Sequence, residues 1–265
     1  MKKQRMDNEN EKHSKFSPSK RERWANCPGS IGMESKYPNE VSEHAEAGIE
    51  AHALLESLLR NNGVVEERFS KVDGVLNSDA HYHVFSAYRH VKQLINDLLM
   101  QGMRVQIKLE QRVSLTDEVY GTADIIVIAE RYGYKQWLLE RLYVIDYKHG
   151  RVKVEAKDNK QLEFYAVAAY VEMEEDIQFS RSCELHFWIL QPKVSGLPIT
   201  HTIAKDVNDW LVDTHFVIME EVNKANQPVA QTVAGSWCVY CKASGVCWAY
   251  ADHMGQNIND VLGRV

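Results

Sequence analysis

The sequence predicts a mixed α/β fold in which a β-sheet is flanked by helices. Apolar and polar residues alternate from Val105 to Val113, which is the pattern of a half-buried strand. Two further runs, residues 122–129 and 142–148, are mainly β-branched and indicate central strands that are buried on both faces. Helical patterns precede and follow these runs, and elements in this order form a sheet with helices packed against it.

Length and composition are those of one ordinary globular domain. The chain has 265 residues, of which 45% are hydrophobic and 26% are charged. It has no run of eighteen apolar residues, and residues 1–15 lack the apolar core of a signal peptide, so we expect a cytoplasmic protein with no membrane partner. The net charge is −6, but residues 1–23 carry a net charge of +4, so basic residues are locally concentrated and binding of nucleic acid is not excluded.

The N-terminal part predicts a flexible segment followed by a short helix. Residues 1–15 are polar, basic and without apolar periodicity, which favours disorder. Ser17-Pro18-Ser19 is a typical helix start, and the helix that follows ends at Cys27-Pro28-Gly29. A lone cysteine at such a place is usually a small buried apolar residue.

Two longer helices are predicted before the sheet, over residues 42–59 and 80–100, with a polar loop over 61–77. In the first helix, Gly48, His52 and Glu56 lie four residues apart and share one face. A histidine on a helix is more often a core or surface residue than a metal ligand, and Glu56 is consistent with a solvent-facing side chain.

The strands carry the residues that suggest chemistry. Asp124 opens the second strand, while Asp146 and Lys148 lie two apart in the third and therefore on one face. If these strands pair, two carboxylates and one ammonium group converge, and carboxylates suit a hard divalent cation. On the first strand Glu110 falls on the polar face, which predicts a solvated glutamate, with a ligand that reaches the cations as the alternative.

The segments after Lys148 complete the predicted sheet. Residues 131–141 are expected to form the loop between the second and third strands, and residues 159–172 a helix on which Gln161 and Tyr165 lie one turn apart. A strand over 184–191 is expected to pair with residues 199–204, and a long helix to follow over 207–225. Cys183 precedes the strand at 184–191 and is expected to be a buried thiol.

The remaining cysteines have the spacing of a metal site. Cys238, Cys241 and Cys247 form C-x₂-C-x₅-C, and Cys27 is the natural fourth ligand. Four thiolates suit either a zinc ion or a [4Fe–4S] cluster, and the spacing alone does not choose between them. Five cysteines, an odd number, argue against a framework of disulfides.

Taken together, these motifs resemble the RecB-like branch of the PD-(D/E)XK nucleases. The resemblance rests on Gly121-x-x-Asp124, then Asp146-x-Lys148 and Gln161-x-x-x-Tyr165, with Gly48-x-x-x-His52 and Cys27-Pro28 before them. The cysteine arrangement is similar to that of the CRISPR-associated RecB-like exonucleases and of the AddB nucleases. It implies a restriction-endonuclease-like core in one domain over residues 16–265, whose terminal segments meet at a cysteine site that includes residues 235–250. Asp124 follows alanine where the superfamily name has proline.

The resemblance implies a Mg²⁺- or Mn²⁺-dependent DNA exonuclease. His52, Asp124 and Asp146 are expected to hold the cations, and Lys148 to position or help deprotonate the attacking water. Gln161 and Tyr165 are expected to contact the DNA strand or to support the metal site. The alternative is ordinary helix surface for Gln161 and a core position for Tyr165. The four cysteines Cys27, Cys238, Cys241 and Cys247 are expected to hold [4Fe–4S], with zinc as the alternative occupant.

The resemblance also implies a biological setting. No Walker-A motif occurs, so unwinding would need a partner such as a helicase, and a single-strand annealing or other recombination protein is a further candidate. A phage or mobile-element protein acting in the cytoplasm of a bacterial host is the expected context. A catalytically silent DNA-binding or assembly subunit and an RNA-directed nuclease are the alternatives.

Overall fold

The computed structural model describes residues 14–38, 43–66, 78–173 and 178–255. Within these ranges it has a five-stranded sheet in the order β1-β2-β3-β4-β5. The β3–β4 pair is parallel and the other three pairs are antiparallel, so the predicted mixed sheet is confirmed. The strands are β1 (Arg104–Ser114), β2 (Tyr120–Gly133), β3 (Gln136–Tyr147), β4 (Gln178–Leu190) and β5 (Ile199–Ile203).

The helices lie close to their predicted positions. The helices expected over 42–59, 80–100, 159–172 and 207–225 are present with ends that differ by at most two residues. Seven α-helices are described: α1 (Arg21–Asn26), α2 (Ser30–Glu34), α3 (Glu43–Arg60), α4 (Ser78–Met100), α5 (Lys160–Met173), α6 (Val207–Ala225) and α7 (Trp248–His253). Most of the loop predicted over 61–77 lies outside the described residues. No described helix has the length and apolar character needed to cross a membrane.

The central strands are buried on both faces, as their β-branched composition predicts. Ile126 and Val144 belong to one core, which includes residues of α5 and α6. Ile125 and Ile145, their neighbours along the strands, belong to a second core with residues of α3 and α4. Because side chains alternate along a strand, each apolar run supplies both cores at once.

The connection between β2 and β3 differs from the predicted loop over 131–141. The two strands continue to Gly133 and Gln136 and are joined by a tight turn at Tyr134 and Lys135, whose φ angles are 52° and 67°. Positive φ at both central residues matches the twist of a two-residue hairpin. Trp137 lies in this extension of the hairpin, and the Arg104 guanidinium packs over its ring at 4.6 Å.

The chain start is anchored to the sheet and to the helices behind it. Residues 1–13 lie outside the described residues, but Ser14, inside the segment predicted to be flexible, is buried and its hydroxyl donates to the Glu118 carbonyl. In α1, the fully buried Arg21 pairs with Glu163 of α5 at 3.0 Å and with Glu221 of α6 at 2.9 Å. These bonds attach α1 to the two helices that cover one face of the sheet.

Candidate metal centre

The candidate site lies where β2 and β3 separate. Their pairing ends at Ile125 and Ile145, whereas the pairing of β1 with β2 continues to Ser114 and Tyr120. One residue beyond the last β2–β3 pair, Oδ2 of Asp124 accepts a hydrogen bond from the backbone N–H of Tyr147 at 2.8 Å. A carboxylate thus takes the place of the next backbone bond, and the strands diverge around it.

Three side chains form a set with the chemistry of a cation site. Nδ1 of His52 lies 3.3 Å from Oδ2 of Asp124, and the ligand atoms of His52, Asp124 and Glu110 all lie within 4.8 Å of one another. Two carboxylates and one imidazole suit a divalent cation such as Mn²⁺ or Mg²⁺. Of the three, His52 and Asp124 are the ones predicted from the sequence.

Glu110 is exposed, as its place on the polar face predicts, and its carboxylate also reaches the cation site, the alternative that its position left open. It lies opposite Asp124, between the pairs Leu109–Ile125 and Gln111–Ala123, and its φ angle is 45°. This left-handed conformation interrupts the regular pleat, so strand alternation alone does not predict the approach of Glu110 to His52 and Asp124. Glu56, which the sequence places on the same face of α3 as His52, makes a 2.8 Å ion pair with Arg60 of the same helix.

A second network joins β3 to α5. Lys148 Nζ donates to Oδ1 of Asp146 at 3.2 Å and to Oε1 of Gln161 at 2.9 Å. The amide nitrogen of Gln161 donates to the same Asp146 oxygen at 2.9 Å and contacts the Tyr165 hydroxyl at 3.4 Å. The four residues predicted from strand and helix periodicity therefore form one network, in which Gln161 links Tyr165 to Asp146 and Lys148.

The other oxygen of Asp146 is not used fully within the described protein. Oδ2 lies 2.9 Å from Lys148 Nζ, close enough for an ion pair, but it accepts no hydrogen bond of good geometry from any described residue. Only 2% of this side chain is exposed. A buried carboxylate oxygen normally has hydrogen-bond donors or a cation as partners, so this atom is a fitting ligand.

The charges in the site influence one another strongly. Burial disfavours the ionised form of both aspartates and raises the pKa of Asp146, whereas at Asp124 the positive charges of His52 and Lys148 outweigh burial and lower the pKa. Burial opposes the charge of Lys148 too, but the two aspartates raise its pKa, so it is an ammonium group at neutral pH. Against burial, Asp124 raises the pKa of His52 to about 9, and burial with the Asp124 charge raises that of Glu110 to about 7.

Gly121 is required by close packing. A Cβ atom at this position would collide with the Pro18 ring and would lie 3.1 Å from Cε1 of Tyr165. The glycine of the predicted Gly-x-x-Asp motif thus allows the N-terminal segment and α5 to approach the start of β2. That approach places Tyr165 beside Gln161 and the carboxylates.

The four cysteines of the predicted motif line a single apolar cavity between the two ends of the chain. The backbone N–H of Val233 donates to Sγ of Cys27 at 3.2 Å, and that of Gly29 donates to the Gln231 carbonyl at 2.8 Å. Among the described residues, the metal-ligand set within 4.8 Å is His52, Glu110 and Asp124, so no three thiols are gathered as closely. Cys183 is buried elsewhere, as predicted.

Cation binding should strengthen as the pH rises. A bound cation requires His52 neutral and Glu110 ionised, so binding displaces protons from groups with pKa values of about 9 and about 7. We expect Mn²⁺ affinity to rise roughly tenfold per pH unit between pH 7 and 9, where one proton is displaced, and more steeply below pH 7, as measured by calorimetry.

The His52→Ala variant separates a ligand from a packing residue. If His52 is a ligand, Mn²⁺ affinity falls and its rise between pH 7 and 9 flattens, because the proton of the imidazole is no longer displaced. His215→Ala on α6 removes an imidazole from the opposite face of the sheet and should behave as wild type. A His52→Ala protein with lower thermal stability but an unchanged pH profile would contradict the ligand role.

One comparison with known families covers nearly the whole chain. Residues 13–261 match the model of a family described as "Protein of unknown function (DUF2800)". The match includes every residue of the candidate site and all four cysteines of the apolar cavity.

Proposed function

The chain belongs to the DUF2800 family, and we propose that it is a metal-dependent deoxyribonuclease with a RecB-like PD-(D/E)XK core. The observation that carries the proposal is the contact of Asp146, Lys148 and Gln161 next to the set of His52, Asp124 and Glu110. A structural ion pair on a strand needs no second set of ligand atoms beside it. Metal-dependent hydrolysis of a phosphodiester bond uses a bound cation and is helped by a fixed positive charge, and the two sets of residues would supply both.

The residues divide into two roles. One or two Mg²⁺ or Mn²⁺ ions would be held by His52, Glu110, Asp124 and Oδ2 of Asp146. This oxygen lies in an ion pair with Lys148 but accepts no well-formed hydrogen bond from a described residue. A bound cation would supply Lewis-acid polarisation of the phosphate and lower the pKa of a water nucleophile. Glu110 is an addition to the ligand set that the sequence motifs imply.

Lys148 would act through its charge. Because Asp146 and Asp124 raise its pKa, the ammonium group keeps its proton at neutral pH and is a poor general base. Its hydrogen bonds to Asp146 and Gln161 fix its direction, so it would orient the attacking water and stabilise negative charge that develops on the phosphate. Gln161 positions Lys148 and is the partly exposed residue of the pair expected to contact DNA. Tyr165 is 5% exposed and packs in the core beside Gln161, so the expectation that it contacts the DNA strand is corrected to a packing role.

We propose a [4Fe–4S] cluster rather than a zinc ion as the occupant of the cysteine site. Four thiolates on one zinc, with Zn–S distances of about 2.3 Å, would lie roughly 3.8 Å apart, and the thiols are not gathered to that spacing. A cluster takes the same four ligands at a wider separation, and the Val233 N–H bond to Cys27 is of the kind that stabilises ligated sulfur. Cys27, Cys238, Cys241 and Cys247 would hold the cluster as a link between the chain ends.

The proposed activity is an exonuclease that works with other recombination or phage DNA-processing proteins. The sequence has no nucleotide-binding motif for ATP-driven unwinding, so a helicase or a single-strand annealing protein is the fitting partner. Such a partner would present a DNA end to the site between β2 and β3.

The test is cleavage of end-labelled nucleic acid by protein purified without oxygen. Single-stranded DNA, duplex DNA and RNA are each incubated with Mn²⁺, with Mg²⁺ and with EDTA. We expect metal-dependent shortening of DNA from an end. Cleavage of RNA alone would reassign the substrate, and tight DNA binding without any cleavage would show a non-catalytic subunit instead.

A further inference from the structure

A basic groove that contains none of the catalytic residues lies beside the N-terminal helices. It is a cavity of about 730 Å³ bordered by α1, α2, the end of α6 and the segment that follows α6. Lys20, which directly precedes α1, and Arg23 of α1 line it, and so does Lys242 of the cysteine segment. The terminal parts of the chain therefore build this groove together.

The groove concentrates positive charge on a protein whose net charge is −6. Among its described lining residues one side chain is acidic, Glu34, and five are cationic: Lys15, Lys20, Arg23, Lys36 and Lys242. Like charges placed together repel one another in the free protein, so such a cluster is favourable when an anion is bound.

The single carboxylate is already engaged. Oε1 of Glu34 accepts the backbone N–H of Lys242 at 3.0 Å, and Oε2 lies 3.3 Å from Nε of Arg23. That Nε atom is buried and donates no well-formed hydrogen bond to any described residue. Arg23 as a whole is only 9% exposed, so little solvent reaches the guanidinium. The ion pair with Glu34 thus leaves the hydrogen-bonding capacity of a buried guanidinium incompletely used.

Among the residues that the structure describes, neither Lys15 nor Lys242 forms an ion pair with a carboxylate. Lys15 Nζ donates to the amide oxygen of Asn226 at 2.6 Å, and Lys242 Nζ donates to the Tyr37 carbonyl at 3.1 Å. Burial, together with the neighbouring charges of Lys242 and Arg23, lowers the pKa of Lys20 despite the presence of Glu34. The groove therefore disfavours its own positive charge, and a bound phosphate would relieve that repulsion.

The cations of the groove suit a phosphate backbone. Between them the groove is lined by small polar residues such as Ser30, Ser35 and Asn226 and by apolar residues such as Ile31 and Val229. Spaced lysines and arginines along an open surface are typical of channels that follow a single strand.

The groove is also close to the proposed active site. Helix α1 contributes Arg23 to the wall of the groove, while Arg21 of the same helix donates to the Lys160 carbonyl at the start of α5, next to Gln161. A helix is about 10 Å across, so one helix separates the groove from the site. A strand lying in the groove has a short path to the catalytic carboxylates.

We propose that this groove binds the phosphodiester backbone of a single nucleic-acid strand and guides it to the site between β2 and β3. One part of the proposal rests on the nuclease function proposed above, namely that the bound strand runs towards the site between β2 and β3. The binding itself requires only the cations that line the groove.

The experiment measures binding of fluorescein-labelled single-stranded DNA by anisotropy, with EDTA present to prevent cleavage. Two double variants are compared with wild type: Lys15→Ala/Lys36→Ala, in which both side chains are exposed, and Lys20→Ala/Lys242→Ala. If both removed cations contact phosphates, affinity falls roughly tenfold and the slope of log K against log salt becomes about 1.4 less steep.

The control is Lys205→Ala/Lys92→Ala, which removes the same charge elsewhere. Lys205 precedes α6, about 28 Å along its 19 residues from the end that borders the groove, and Lys92 lies on α4. This variant should bind with the wild-type salt slope. Thermal melting of all variants checks that a loss of affinity is not a loss of fold.

The outcomes separate the groove from the nuclease function. Unchanged affinity and slope in Lys15→Ala/Lys36→Ala would overturn the groove proposal, whatever the activity of the protein. Displacement of the strand by an equal concentration of inorganic phosphate would also overturn it, because a site for isolated anions does not follow a backbone. Weakened binding in both groove variants of a protein that cleaves nothing would support the groove and reject the nuclease.

Discussion

Asp146→Asn should lower DNA cleavage by about 10³-fold or more while the protein stays folded, because it removes a central charge of the site. The fold should tolerate the change, since burial raises the pKa of Asp146 and the neutral amide has the same shape. Initial rates on end-labelled DNA with saturating Mn²⁺ measure the effect, and thermal melting reports on the fold. Cleavage at the wild-type rate by purified Asp146→Asn protein would end the nuclease assignment.

Lys148→Ala should cause a loss of similar size through a different group. It removes the ammonium that Asp146 and Gln161 orient, and it leaves the set of His52, Glu110 and Asp124 in place. Mn²⁺ should therefore still bind, which distinguishes a lost catalytic charge from a lost cation site. Lys153→Ala is the matched control, since Lys153 is an exposed lysine paired with Glu155 in the loop that follows.

Cys27→Ala should destabilise the whole domain, although Cys27 is not part of the proposed catalytic set. A cluster held by all four cysteines would close a loop of more than two hundred residues, judging from the 206 residues that separate Cys27 from Val233. By the chain-entropy relation for a cross-link, a loop of this length contributes about 5 kcal/mol. That is a large part of the roughly 5–15 kcal/mol that keeps a domain folded.

The measurement is iron content and melting temperature of protein purified without oxygen. Wild type should be brown, with broad absorption near roughly 400 nm and about four irons per chain. Cys27→Ala and Cys241→Ala should both be colourless and melt at a lower temperature. Cys183→Ala, in a buried thiol away from the cavity, should keep its iron.

Two results would correct this view in different ways. One zinc per chain without iron would replace the cluster by a zinc ion and keep the link between the chain ends. A Cys27→Ala protein that is as stable and as metal-loaded as wild type would reject the link itself. The cleavage assay on Asp146→Asn is independent of both results.

Several contacts of the site follow from local periodicity. Asp146 and Lys148 share a strand face because side chains alternate, and Gln161 and Tyr165 share a helix face because they are one turn apart. The structure brings these four residues into contact through α5. Residue spacing was sufficient here because both elements are regular at these positions.

Glu110 shows the limit of such reasoning. Its place on β1 predicts an exposed side chain, which the structure has, but not that its carboxylate lies with His52 and Asp124. Its φ angle of 45° interrupts the pleat opposite Asp124. No residue type around it signals this, since glutamate is not among the residues that favour positive φ. The same limit applies to the β2–β3 connection, where Tyr134 and Lys135 form a tight turn without glycine or asparagine.

Periodicity and composition are sufficient to predict the order of the strands and helices along the chain, the two-sided burial of β2 and β3, and the pairs of residues that share a face. These properties depend on neighbours within a few residues. The cysteine spacing and the family resemblance also predict Cys27 beside the C-terminal cysteines, with which it lines one cavity. The folded chain alone shows that Glu110 lies with His52 and Asp124 and that five basic residues line one groove. Such contacts depend on strand register and on how the two ends of the chain pack together, and no local pattern of residues specifies either of these.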